Sequence, residues 1–178
     1  MDAGRLVLHT VGHGTLEQPA LTALLCSGGI ESVVDVRTAP GSRRLPHVGR
    51  AEMERWLPAA GIAYRWEPDL GGFRRAEPQS VNLGLRNQSF RGYADHMRGP
   101  AFQHALQGVL TESARRPTAV MCAESLWWRC HRRLIADVFV LCAGGEVLHV
   151  MHDGRVEPHR VTDGARREGE RLRYDAVD

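Results

Sequence analysis

The sequence contains no lysine, and all 23 of its basic side chains are arginines. A GC-rich genome is the simpler explanation of this bias. The functional one is anion recognition, because a guanidinium binds carboxylate and phosphate through two parallel hydrogen bonds. The formal net charge of +2 is too small to indicate nucleic-acid binding by itself. The arginines are nevertheless uneven, with eleven of them against six acidic residues between positions 37 and 98.

The sequence also lacks long apolar runs, since none approaches the ~18 residues of a membrane-spanning helix. No basic segment followed by an apolar one opens the chain, so we expect a cytoplasmic location and no membrane partner. In such a reducing compartment the four cysteines are expected as free thiols. Of these, Cys26 and Cys142 lie in apolar helical contexts and are predicted to be small core residues.

Repeats and linkers are absent as well, and 178 residues of ordinary globular composition predict a single domain over residues 1–178. Its core is expected at residues 6–161, followed from residue 163 by a charged, frayed tail. Apolar runs predict strands at residues 6–11, 30–36, 62–66, 118–122, 147–151 and 156–161.

Amphipathic segments between these strands predict helices, the first of them capped by Thr15 and the last covering residues 132–143. The fold class is therefore α/β. We expect a mainly parallel twisted sheet of five to six strands, with helices on both faces in a Rossmann-like three-layer arrangement and an antiparallel strand allowed at one edge. Residues 67–92 show no clear periodicity, which is typical of a functional loop or a lid.

Polar residues follow the predicted strands at their carboxyl ends. His13 comes after the first strand, Asp35 and Arg37 end the second, and the dense stretch 121–132 follows the fourth. The carboxyl ends of parallel strands meet at one edge of a sheet, where ligands bind. We therefore expect these segments to form a polar catalytic or binding cleft.

The catalytic candidates at this edge include two carboxylates, Asp35 and Glu124, as general acid and base. Asp35 lies in an apolar strand, so its alternative role is a structural ion pair with Arg37 or Arg132. His13 is a further catalytic candidate whose alternative role is to satisfy a turn. The substrate-binding candidates are guanidinium, aromatic, glycine and imidazole residues of the same segments: Arg37, Arg43, Tyr64, Gly71, Gly72, Arg91, Tyr93, Trp127, His131 and Arg132.

Cys122, Cys130 and His131 favour a different chemistry, either thiol reactivity or binding of a metal ion such as Zn²⁺ or Fe. Cys122 ends a strand near a helix N-terminus and Arg132, which would lower its thiol pKa and make it a nucleophile. The spacing Cys-x7-Cys-His matches no common zinc motif, and the adjacent Cys130 and His131 are expected to point apart at a helix start. No cofactor is therefore predicted firmly.

Six short motifs over residues 6–159 occur together in a specific order. They are Thr10-Val11-Gly12-His13, Val34-Asp35-Val36-Arg37, Gly61-Ile62-Ala63-Tyr64, Leu70-Gly71-Gly72, Phe90-Arg91-Gly92-Tyr93-Ala94, and Met121-Cys122-Ala123-Glu124 with Cys130-His131-Arg132. This set resembles the DUF488 family, a domain of unknown function. The resemblance implies a small bacterial α/β protein with a polar rim built from these motifs, and it assigns no reaction. One departure is Gly14, where a Ser or Thr is expected, so that a hydroxyl contact is lost or moved to Thr15.

Three hypotheses of function follow. The first is an enzyme, a hydrolase acting on a nucleobase, a nucleotide or a modified or damaged nucleic acid. Its reaction would be N-glycosidic hydrolysis by the two carboxylates, as in DNA repair by a DNA glycosylase. The second is a thiol-redox or metal-binding protein, and the third is a non-catalytic nucleic-acid-binding module. The expected partner is accordingly a small-molecule or nucleic-acid substrate, and no oligomeric state is predicted.

Overall fold

The computed structural model describes residues 5–177, which form eight strands and five α-helices. The strands are β1 Val7–Gly12, β2 Ser32–Asp35, β3 Ala63–Trp66, β4 Thr118–Cys122, β5 Glu146–Val150, β6 Val156–Pro158, β7 Ala165–Glu168 and β8 Arg171–Tyr174. The helices are α1 Gln18–Ser27, α2 Arg50–Ala59, α3 Gln88–Met97, α4 Pro100–Ser113 and α5 Arg132–Ala143. None of these helices combines the length and apolarity that a membrane crossing requires.

The main sheet has six strands in the order β3-β2-β4-β1-β5-β6. Strands β1 to β5 run parallel, and β6 pairs antiparallel with β5 at one edge. This confirms the predicted α/β class, its mainly parallel sheet and its antiparallel edge strand.

Two separate apolar cores cover the two faces of the sheet, because neighbouring side chains of a strand point to opposite sides. Val33 packs in a core with Leu25 of α1 and Leu57 of α2. The next residue, Val34, packs in the other core with residues of α3, α4 and α5 such as Phe139. The strands are therefore apolar on both sides, as parallel sheets require, and helices cover both faces as predicted.

Strand β4 lies between β1 and β2, although it comes after both in the chain. Gly12 at the end of β1 is in register with Cys122, and Asp35 at the end of β2 is in register with Met121. The chain leaves β1 and β4 in opposite directions along the sheet. This is the kind of switch point at which α/β sheets open a crevice for ligands.

Several helix and core boundaries differ from the sequence-based predictions. Helix α1 begins after Glu17 rather than Thr15, and Pro19 occupies its first turn, where a missing backbone N–H costs nothing. Helix α3 begins at Gln88, because the Asn87 side chain accepts hydrogen bonds from two backbone N–H groups of its first turn. Cys26 was predicted to be a core residue, but it lies on the exposed side of α1.

The prediction of a frayed tail is wrong, because β7 and β8 pair as an antiparallel hairpin. Leu172 and Tyr174 of β8 are buried in the core that α3 and α5 share. The Tyr174 hydroxyl donates to Asp137 Oδ2 of α5 at 2.9 Å, and Arg98 Nη1 donates to the Leu172 carbonyl at 2.8 Å. The dense charge of this segment belongs to the solvent-facing side of the hairpin and hides its short apolar alternation.

Substitution of Leu172 by Ala tests the docking of the hairpin. We expect it to lower the free energy of unfolding by about 2 to 5 kcal/mol, because it leaves a cavity in a closed core. The matched control is Arg171→Ala, an exposed position in the same strand, which should change stability by less than about 0.5 kcal/mol. Urea unfolding followed by circular dichroism measures both. Equal and small effects would mean that the tail does not dock.

Candidate functional site

A cleft of about 570 Å³ opens at the carboxyl ends of β1, β2 and β4. Eight of the residues predicted for the site line it: His13, Arg37, Gly72, Tyr93, Cys122, Glu124, Cys130 and His131. The expected convergence of separate segments at one edge of the sheet therefore occurs. It brings together side chains that follow three adjacent strands and the loop after β3.

Cys122, Cys130 and His131 form a compact cluster in the wall of this cleft. His131 Nδ1 lies 4.0 Å from Cys122 Sγ and 3.7 Å from Cys130 Sγ. The expectation that Cys130 and His131 point apart is wrong. Cys130 is extended with φ −117°, whereas His131 already has helical φ −61°, and this break in conformation turns both side chains to the same side.

The His131 ring is held in one orientation and one tautomer. Its Nε2–H donates to the Val36 carbonyl at 2.9 Å, which leaves the Nδ1 lone pair facing the two sulfur atoms. The Tyr93 ring packs on it at 4.9 Å between centroids. On the other side a Cβ at Gly72 would lie 3.0 Å from Nδ1, a tight contact that would push against the ring, so glycine there leaves the ring undisturbed.

The two thiols differ in acidity because of their surroundings. Burial raises the pKa of Cys130, but the Cys122 S–H, the imidazole of His131 and the charge of Arg132 together bring that pKa well below its usual value. The hydrogen bond to Cys130, followed by burial, raises the pKa of Cys122 well above its usual value. The Arg132 Nε–H, which was expected to acidify Cys122, donates to Cys130 Sγ at 3.3 Å, so the geometry favours Cys130 as the more acidic thiol.

This cluster fits a tetrahedral metal ion. Zinc bonds of about 2.3 Å to sulfur and 2.0 to 2.1 Å to nitrogen correspond to S···N separations of about 3.6 Å in a tetrahedron. The S···N distances of 3.7 and 4.0 Å are close to that value, and all three ligand atoms lie within 4.8 Å of one another. Three ligands beside a cleft leave a fourth position for water or substrate, as in catalytic zinc sites.

Asp35 is completely buried beneath the cleft and does not line it. Its carboxylate accepts four hydrogen bonds: three from Arg37, through the backbone N–H, Nε and Nη2, and one from the Tyr64 hydroxyl at 2.6 Å. Neither Asp35 nor Tyr64 lines the cleft, so the catalytic role of Asp35 and the substrate-binding role of Tyr64 stay predictions without a contact in the cleft. The alternative, a structural ion pair with Arg37, is confirmed.

His13 lines the cleft, but both of its ring nitrogens are engaged. Nδ1–H donates to the Gly14 carbonyl at 2.9 Å, and Nε2 accepts from Arg37 Nη1 at 3.2 Å. Burial, together with the nearby Arg37 charge, lowers the pKa of His13 to about 4. A neutral imidazole with two occupied nitrogens shapes the wall of the cleft and satisfies its turn, and the catalytic role of His13 stays a prediction.

Glu124 is exposed at the cleft, and its Oε1 accepts from the Leu126 backbone N–H at 3.0 Å. Arg132 contacts Glu124 through the backbone carbonyl rather than the carboxylate. Arg132 itself is buried under the cluster and is not available to a substrate, against the prediction. The close approach of the Glu124 carbonyl excludes any Cβ at Gly12.

Four other predicted substrate-binding residues lie outside the cleft lining: Arg43, Gly71, Arg91 and Trp127. Gly71 packs against Thr38, the Arg91 Nε–H donates to the Leu85 carbonyl at 3.0 Å, and Arg43 is exposed on its loop. Trp127 stacks on His149 at 4.1 Å, so one face of its ring is already covered within the protein.

Residue 14 departs from the expected hydroxyl side chain for a steric reason. Gly14 has φ +50°, and a Cβ there would lie 2.7 Å from the His152 ring. The His152 Nε2 in turn lies 2.6 Å from the Gly12 carbonyl, so an imidazole fills the space that a side chain at position 14 would occupy.

The sequence-based prediction missed Phe73, Phe90 and Arg129, which also line the cleft. Phe73 is 93% exposed and has φ +56°, a left-handed conformation that is uncommon for any residue but glycine. Phe73 directly follows Gly71 and Gly72 in the long loop, and this position is the sequence feature that could have identified it. An exposed, strained aromatic at the mouth of a cleft is typical of a ligand contact.

The variants Asp35→Asn and Glu124→Gln test which of the two carboxylates stabilises the fold. We expect Asp35→Asn to lower the free energy of unfolding by roughly 3 to 5 kcal/mol, because it leaves the buried Arg37 guanidinium without its counter-charge. Glu124→Gln keeps the amide-accepting oxygen at an exposed position and should change stability by less than about 0.5 kcal/mol. Chemical denaturation of both variants decides this. A stable Asp35→Asn protein would return Asp35 to the list of catalytic candidates.

Comparison with known proteins places the chain in a family. The profile of one family, described as "Domain of unknown function DUF488", matches residues 18–139, about two thirds of the chain. No curated protein and no solved structure matches the chain. The matched span contains the buried ion pair, both cysteines of the cluster and His131. The protein therefore belongs to the DUF488 family.

Proposed function

We propose that the protein is a metal-dependent hydrolase whose ion is bound by Cys122, Cys130 and His131. The observation that carries this proposal is the orientation of His131. Metal-binding histidines usually donate their second ring N–H to a carbonyl or carboxylate, which aims the other nitrogen at the ion. Here Nε2 donates to the Val36 carbonyl, and Nδ1 faces two thiols at near-tetrahedral separations.

A Zn²⁺ ion with an open coordination position would polarise a substrate oxygen or activate water. The three ligand side chains do not supply this chemistry by themselves. The chain supplies the rest of the site. The Glu124 carboxylate lines the cleft and is exposed, so it can accept or return a proton. The neutral His13 and the ion-paired Arg37 form a rigid wall that needs no rearrangement when a substrate binds.

For the substrate we propose a nucleobase, a nucleotide or a modified nucleic acid. The cleft has an apolar wall that includes the rings of Phe73 and Phe90, and aromatic rings of this kind stack on bases. Arg129 lies exposed on the same lining, where its guanidinium can bind a phosphate. The carboxylate-pair mechanism receives less support, because Asp35 is buried and fully hydrogen-bonded.

A second candidate is thiol chemistry at Cys130. The lowered pKa of Cys130 and the N–H of Arg132 directed at its sulfur favour the thiolate form of this residue. The same thiolate is also the form that binds a metal. Metal content therefore separates the two candidates.

Metal analysis of the full chain tests the proposed centre. After reconstitution with Zn²⁺ and removal of excess ion, we expect about one zinc per chain by inductively coupled plasma mass spectrometry. Cys122→Ser, Cys130→Ser and His131→Ala should each lose most of it, because each removes one of three ligands. Cobalt substitution should give sulfur-to-cobalt charge-transfer absorption.

The matched control is Cys26→Ser, which removes an exposed thiol far from the cluster in sequence and should keep the full zinc content. Zinc lost equally from Cys26→Ser would point to non-specific thiol binding. A wild-type protein that binds no zinc or iron, but whose Cys130 is alkylated rapidly at neutral pH, would favour thiol chemistry instead.

Activity is tested on nucleotides and on oligonucleotides that contain modified bases. We expect zinc-loaded protein to release free base, and we expect both a chelator and Cys122→Ser to abolish the release, because the ion activates the attacking water. Glu124→Gln should lower the rate by about 10²-fold or more if this carboxylate transfers the proton. Chromatography of the released base is the measurement. A protein that binds zinc but releases no base would retain the metal centre and refute this substrate class.

A further inference from the structure

A line of buried side chains leads away from the cluster into the far half of the domain. Arg132 donates from Nε to Cys130 Sγ at 3.3 Å and from Nη1 to Thr10 Oγ1 at 3.1 Å. Thr10 Oγ1 lies 2.6 Å from His149 Nδ1, and His149 Nε2 lies 2.9 Å from His159 Nδ1. Of the residues in this line, Cys130 lines the cleft, and the others lie away from it.

The line ends at Asp137, a fully buried carboxylate of α5. Its Oδ1 lies 2.8 Å from His159 Nε2 and accepts from the Thr162 backbone N–H at 2.9 Å. Its Oδ2 accepts from the Tyr174 hydroxyl at 2.9 Å. The hairpin β7–β8 thus closes the far end of the line.

The two ends of the line have fixed hydrogen-bond directions. The Asp137 carboxylate accepts from His159 Nε2, and the Thr10 oxygen accepts from Arg132 Nη1. Between these ends each imidazole nitrogen faces a polar partner, His149 Nε2 against His159 Nδ1 and His149 Nδ1 against the Thr10 hydroxyl. A buried positive charge is therefore linked to a buried negative one through side chains whose polar atoms are all engaged.

This line cannot carry protons to or from the cleft, because an arginine does not release its proton in proteins. Burial also lowers the pKa of His149, whose ring is stacked on Trp127. The remaining role is mechanical and electrostatic. The line determines where the Arg132 guanidinium lies and provides its counter-charge across the domain.

We infer that this buried line positions the guanidinium of Arg132 against Cys130 Sγ and thereby sets how strongly that sulfur binds its ligand. The inference rests on the proposed function only for the identity of that ligand, a metal ion. Hydrogen bonds to the side chains that bind a metal ion tune the site, and their loss typically weakens metal affinity. The positioning residues are Thr10, His149, His159 and Asp137.

The test compares Thr10→Val with Thr10→Ser in the full chain, using Co²⁺ as the probe. Val has the same shape as Thr but cannot bridge Arg132 and His149, whereas Ser keeps the hydroxyl. We expect Thr10→Val to weaken Co²⁺ affinity by about 10- to 100-fold and to shift the sulfur-to-cobalt charge-transfer band. Thr10→Ser should keep both the affinity and the band of the wild type.

Tyr174→Phe is the structural control, because it removes one bond of Asp137 and leaves the rest of the line in place. It should lower stability without moving the cobalt band. If Thr10→Val does not fold, His149→Phe takes its place, since it keeps a ring against Trp127 and removes both links. The inference is refuted if the bridging variant binds Co²⁺ like the wild type, or if Tyr174→Phe moves the band as far.

The same variants distinguish failure of the inference from failure of the metal proposal. If the wild-type protein binds no Co²⁺, the metal centre is refuted, and the alkylation rate of Cys130 by iodoacetamide at a fixed neutral pH becomes the measurement. The inference then predicts a changed rate in Thr10→Val and a wild-type rate in Thr10→Ser. Equal rates in all three proteins would overturn it.

Discussion

The guanidinium of Arg132 is the interaction on which the site depends. It is almost completely buried, yet it reaches the Cys130 sulfur, the Thr10 hydroxyl and the Glu124 carbonyl. These contacts connect β1, the loop after β4 and the first turn of α5. The loop can approach only because Gly12 has no side chain at the point of contact. Arg132 thus holds the cysteine loop against β1 together with the Gly14 N–H, which donates to the Ala123 carbonyl.

Buried charges are costly unless each is paired and fully hydrogen-bonded, and the domain meets this condition on both sides of the cluster. On one side Asp35 and Arg37 form a direct pair that the Tyr64 hydroxyl completes. On the other side Arg132 is linked to the carboxylate of α5 through the side chains of Thr10, His149 and His159. These two arrangements hold Arg37 and the cysteine cluster, which both line the cleft, in hydrogen-bonded positions.

The residue types at the site were easier to predict from the sequence than their roles. Asp35 and Glu124 both suggested acid–base chemistry, because a carboxylate near a strand end reads the same in sequence whether it is buried or open. The structure separates them through burial alone. Cys130 and His131 are adjacent and were expected to point apart, but both face the same side. The change of backbone conformation between them, which causes this, is not visible in the sequence.

The sequence by itself determined the α/β class, the order of the strands of the main sheet, and the convergence of His13, Arg37 and Cys122 at one edge of the sheet. Those properties follow from local periodicity and from the common direction of parallel strands. Only the tertiary structure decided that His131 donates to Val36, and that Tyr174 of the charged tail reaches α5. Such contacts join residues far apart in the chain, and no local pattern specifies which donor meets which acceptor.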